Sequence, residues 1–76
     1  MASSKTKAIL NVLRRGREEK IARSVMRVFG ASSLDECLAT YDAVGAAERA
    51  TLDDAVQRVA ADAGAAFWLS VDNETS

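Results

Sequence analysis

The chain has 76 residues, of which 49% are hydrophobic and 28% charged, with a formal net charge of −1. That length holds one small domain, and the composition is too apolar for a chain disordered throughout. With no histidine and a single cysteine, Cys37, it excludes an internal disulfide and lacks the commonest metal ligand and general base.

Proline is absent and alanine abundant, which favours helices over strands. No apolar run reaches the roughly 18 residues that a membrane helix needs. The start, MASSKTK, lacks the apolar core of an export signal. A reducing cytoplasm is the expected home, and the alanine-rich, lysine-poor composition points to a GC-rich genome, bacterial or phage.

In chain order, Met1 to Ser4 reads as a loose polar start, with Ser3 or Ser4 as N-cap of a first helix that runs to about Arg15. Ile9, Val12 and Leu13 form its apolar side, with Leu10 at the margin and Lys7, Asn11, Arg14 and Arg15 opposite. The stretch Arg17 to Gly30 is two-faced. Ile21, Ala22, Val25, Val28 and Phe29 share one side, and Lys20, Arg23 and Arg27 the other. The apolar sides of these two segments are out of phase by about 150°, so a break or sharp kink near Gly16 lets both face one core. A side-chain cap is missing there, and one long helix is the alternative.

Gly30 ends the second helix, and Ser33-Leu34-Asp35-Glu36 has the form of a capping box for a third, from Leu34 to about Ala43. Leu34, Cys37, Leu38 and Tyr41 form its inner side. Gly45 serves as C′ of that helix or N-cap of a fourth, Ala46 to Ala63, with a competing start at Thr51. Leu52, Ala55, Val56, Val59, Ala60 and Ala63 face inward there, and Asp53, Asp54, Gln57 and Arg58 outward. After Gly64, the segment Ala65 to Val71 reads as a short helical or extended lid in which Phe67 and Leu69 cover the open end of the core, and Asp72 to Ser76 should fray. The expected fold is all-α: a small single-domain bundle of about four short helices with an apolar C-terminal cap.

Charge is unevenly divided. Through Arg27 there are eight basic residues against two acidic, a local charge of +6, and from Val28 onward two basic against nine acidic, −7. The stripe Lys20, Arg23 and Arg27, with Lys7, Arg14, Arg15 and Arg17 nearby, is either a solvated or intramolecularly paired face, a contact for an acidic protein surface, or a phosphate-neutralising surface for nucleic acid. The acidic second half and a sequence pI near 5.3 weigh against nucleic acid. A helix-turn-helix would place Arg17, Glu18, Glu19 and Lys20 where a recognition helix wants donors, and the two glutamates oppose it.

Cys37 has Asp35 and Glu36 beside it, unsuited to a reactive thiolate, and reads as a small core residue. Trp68 either seals the core edge or anchors a partner. Asp53 and Asp54 diverge by about 100° on a helix and do not converge on one ion. The four glycines are isolated stops rather than a phosphate loop. No catalytic, cofactor or metal site is expected. The reading is a small non-enzymatic regulatory or adaptor protein that contacts an acidic protein surface through Lys20, Arg23, Arg27, Arg14, Arg15 and Arg17, with Trp68 as an apolar anchor. Its alternative is a nucleic-acid-binding accessory protein using the same residues, and a third arrangement is a homodimer in which basic and acidic halves meet.

Overall fold

In the computed structural model, which describes residues 4–75, the chain forms five helices and no strand among the described residues: α1 (Lys5–Leu13), α2 (Glu19–Phe29), α3 (Leu34–Ala43), α4 (Ala46–Ala60) and α5 (Ala65–Thr75). Of the loose start expected at Met1 to Ser4, residues 1–3 lie, like Ser76, outside the described residues, and Ser4 is the N-cap of α1. The all-α bundle is as the composition implies, and the C-terminal apolar cap is itself a helix.

The shortest helix holds the centre. α1 packs against each of the other four. Thr6, Ile9, Leu10 and Val12 are fully buried, and Ala8 and Leu13 nearly so. Burial of a branched aliphatic side chain is worth about 1.5–3 kcal/mol, so this nine-residue segment carries a large part of the apolar driving force. Leu10 is no marginal residue. It faces the core because α1 has neighbours around its circumference, where the sequence pattern suggested one apolar side.

Polar contacts give the helix directions. Ser4 at the start of α1 meets Tyr41 near the end of α3, and Arg14 just past α1 meets Asp35 in the first turn of α3, so these helices run antiparallel. Lys5 lies over Trp68, early in α5, while Arg15 pairs with Glu74 near its end, so α5 runs alongside α1 in the same direction. α2 packs on α4 and α3.

Local chemistry explains the boundaries. The Ser4 hydroxyl accepts from the Lys7 amide at 3.5 Å, capping α1. After Leu13 the chain breaks, with Gly16 at φ 85° and Glu18 at φ 54°. The left-handed conformation is easy for glycine and costs a glutamate of order 1 kcal/mol. The two segments thus face one core across a turn, and no long helix forms. Ser33 accepts from the Glu36 amide at 3.1 Å, and the Glu36 carboxylate accepts from the Ser32 amide at 2.9 Å, one residue before the capping-box partner. α4 starts after Gly45, leaving Thr51 in mid-helix, and ends at Ala60, before the expected Ala63.

Three further expectations differ from the structure, the first being the frayed end expected from Asp72, since α5 stays helical through Thr75. Leu69 does not cover the core; it is 65% exposed, while Phe67 and Val71 point inward with Trp68 half-buried between them. Residues two apart diverge by about 200° on a helix, so Phe67 and Leu69 cannot share a face, whereas Phe67 and Val71 do. Asp53 does not point outward either. Its Oδ1 accepts from Thr6 and from Tyr41, both at 2.6 Å. Tyr41 has spent its one hydrogen on Asp53, so the Ser4 hydroxyl is the donor in their 2.8 Å contact, while accepting from the Lys7 amide. Thr6, buried on the apolar helix, required this acceptor. Arg49 completes the cluster: it donates to the carbonyls of Tyr41 (3.2 Å) and Val44 (2.8 Å), satisfying the end of α3, and its guanidinium lies 5.5 Å from the Tyr41 ring centroid.

The contrast between two leucines is testable. Leu10→Ala should cost about 2–5 kcal/mol, enough to unfold much of a small domain, whereas Leu69→Ser should stay within about 0.5 kcal/mol of the parent. Urea denaturation of both variants measures this, and equal effects would contradict the placement of α1.

Candidate functional site

The surface of interest is built on α2. Its inner residues Ile21, Ala22 and Val25 are buried, and Met26, Val28 and Phe29 are packed against the core at its edge. That anchoring fixes the rotation of the helix, and it leaves Glu19, Lys20, Arg23 and Arg27 exposed on the opposite side. Entry is through Glu18, whose carbonyl accepts from the Ala22 amide at 2.9 Å but whose side chain makes no cap. Exit is through Gly30 at φ 65°, where the Ala31 amide donates back to Met26 at 2.9 Å.

The basic residues expected at the site fall into two groups. Lys7, Arg14 and Arg15 each meet a carboxylate from the acidic second half: Lys7 with Asp42 at 2.7 Å, Arg14 with Asp35 at 2.9 Å, and Arg15 with Glu74. The charge division along the sequence is therefore partly cancelled in space. Arg23 has a loose intrahelical pair with Glu19 at 3.4 Å, worth about 0.3–0.5 kcal/mol. Arg17, Lys20 and Arg27 form no ion pair among the described residues.

Trp68 is elsewhere. It is half-buried, edge-on to Phe67 with centroids 5.6 Å apart, and 6.0 Å from the Lys5 ammonium. Trp68 thus lies against the start of α1, and α5, which carries it, is not among the helices packed firmly on α2. Lys20, Arg23 and Arg27 share the exposed face of α2, and Trp68 stands on α5.

Beside the entry to α2 lies an open groove of about 410 Å³, lined by Glu18, Lys20, Ile21, Ser24, Val59 and Asp62. It brings the first turns of α2 against the end of α4, a juxtaposition that local sequence patterns do not reveal. The Ser4, Thr6, Tyr41, Asp53 and Arg49 cluster was likewise not foreseen. The available signal was the hydroxyl of Tyr41 on an inward-facing position, which needs a buried partner.

Among the described residues, no group of three or more His, Cys, Asp or Glu side chains is placed to hold a metal ion, and no helix is long and apolar enough to cross a membrane. Comparison with known protein families, curated proteins and solved structures gives no match to this chain.

Cys37 is fully buried, and burial, followed by the charge of Glu36, pushes its thiol from 9.0 up to about 11. Tyr41 is also raised, first by burial and then by its bond to Asp53. Neither group is a ready nucleophile at neutral pH. Because an unfolded chain would release these protons at lower pH than the folded one, stability should hold below about pH 9 and fall as pH rises toward 11. Urea midpoints measured across that window test the sign, and a midpoint that rises with pH would contradict it. A thiol-specific reagent at neutral pH should label Cys37 only as fast as the protein unfolds.

Proposed function

We propose that this chain is a small non-enzymatic regulatory or adaptor protein of the cytoplasm that docks the basic face of α2 onto an acidic protein surface. The observation that supports this is selective neutralisation. Lys7, Arg14 and Arg15 are paired across the fold, while Arg17, Lys20 and Arg27 stay exposed with no ion pair among the described residues. Charges held on a well-anchored helix lose little freedom on binding, which favours their use as a docking surface. Such a face contributes association rate and specificity, and its affinity falls with salt.

An acidic protein is favoured over nucleic acid by the company these residues keep. Glu18 and Glu19 stand at the entry to the same helix, and the chain carries a net charge of −1. Both repel a continuous phosphate backbone, whereas a protein surface can place carboxylates opposite Lys20 and Arg27 and avoid the glutamates. Trp68, beside Lys5 at the other end of α1, is not needed for this contact.

Fluorescence anisotropy with a labelled glutamate-rich peptide, and separately with a duplex DNA, tests the reading at about 50 and about 200 mM salt. The peptide should bind at the lower salt, and Lys20→Glu with Arg27→Glu should weaken it by roughly tenfold or more. Unchanged affinity in that double variant would refute the assignment. Tighter binding of the duplex, lost in the same variant, would instead favour the nucleic-acid reading.

A further inference from the structure

The groove between α2 and α4 has the chemistry of a receptor for an arginine side chain. Ile21 and Val59 line it with aliphatic surface and Ser24 with a hydroxyl, and the carboxylates of Glu18 and Asp62 outnumber the one cation there, Lys20. Neither acid forms an ion pair among the described residues, although the other side of the molecule pairs acids with bases across the fold. An arginine suits such a place because its methylene stem lies on apolar surface while its planar guanidinium bonds carboxylates.

This chain carries a matching group next to the groove. Arg17 precedes Glu18 on the exposed turn between Gly16 and α2, it does not line the groove itself, and it has no ion pair among the described residues. A concave surface cannot fill its own copy by facing it, but a groove with an exposed arginine adjoining it in the chain can do so reciprocally. In a reciprocal two-fold contact each Arg17 would meet the other molecule's Glu18 and Asp62.

We infer that the α2/α4 groove is the seat of a homodimer in which Arg17 of each copy enters the groove of the other and bonds Glu18 and Asp62. The contact is small and charged, so the dimer is weak, concentration-dependent and salt-sensitive. It would set two α2 faces side by side, leaving each Arg27 to an acidic partner, so that a partner with two acidic patches gains avidity. The inference does not depend on that partner. The homodimer supposed from the halves of the sequence differs from it, since those halves already close on each other within one chain through Lys7–Asp42, Arg14–Asp35 and Arg15–Glu74.

Sedimentation equilibrium over a range of concentrations tests it with a charge swap. The parent chain should self-associate at about 50 mM salt and dissociate by at least several-fold at about 200 mM. Arg17→Glu alone and Asp62→Arg alone should each be monomeric, because each sets like charges against each other in both reciprocal contacts. An equimolar mixture of the two variants should recover a heterodimer, since both contacts then join opposite charges. Both positions are exposed, so the variants should fold, which circular dichroism checks. A parent chain that stays monomeric at every concentration, or a dimer indifferent to both substitutions, overturns the inference. So does a mixture that fails to associate. Binding of an arginine-containing peptide to a monomeric parent chain, abolished by Asp62→Arg, would assign the groove to another protein and overturn the second copy as its occupant. Acidic-peptide binding is measured separately with Arg27→Glu alone, a residue that does not line the groove, so either reading can fail alone.

Discussion

The structure depends on the enclosure of α1. A helix of nine residues is too short to persist in water, where isolated helices need about 12–15 residues to be even marginal. It exists here because the four other helices surround it and bury Ile9, Leu10, Val12 and Leu13. Enclosure has a polar cost, since Thr6 is buried with them. Asp53 offsets it, accepting from Thr6 and Tyr41, and so ties α1, α3 and α4 at one end. The opposite end is held by exposed ion pairs from Arg14 and Arg15, which contribute far less per contact.

This arrangement decides which surfaces remain available. α1 takes up the basic residues at its own ends, because α3 and α5 present Asp42, Asp35 and Glu74 to them. α2 lies against α3 and α4 and gives only its apolar residues to the core, so its cations stay outward. The distinction between structural and available charge therefore follows from helix placement. The functional reading rests on that distinction, and it concentrates on Lys20 and Arg27.

The elements themselves were legible in the sequence wherever a local signal stood alone. The capping box at Ser33 marks α3, Gly30 marks the end of α2, and the phase mismatch across Gly16 requires the break that Glu18 completes. Tertiary facts were not legible. Leu10 looks marginal if α1 has one buried side, and only the presence of neighbours around it makes Leu10 core. Asp53 sits at an outward phase of α4, and its inward turn depends on Thr6 and Tyr41, 47 and 12 residues away in sequence. Phe67 and Leu69 share a face in an extended lid, whereas in a helix Val71 takes that place and Leu69 turns to solvent. At the candidate site, the grouping of Lys20, Arg23 and Arg27 follows from helical period alone, whereas the pairing of Arg14 and Arg15 and the separation of Trp68 from α2 depend on chain directions that periodicity does not encode.

Native-state hydrogen exchange tests most directly the claim that α1 is the element on which the others are assembled. The amides of Ile9 to Leu13 should be the slowest in the protein, exchanging only through global unfolding, with a protection free energy equal to that from urea denaturation. Exchange of these amides faster than those in the middle of α4 would contradict it, since α1 would then open while the rest of the bundle stood.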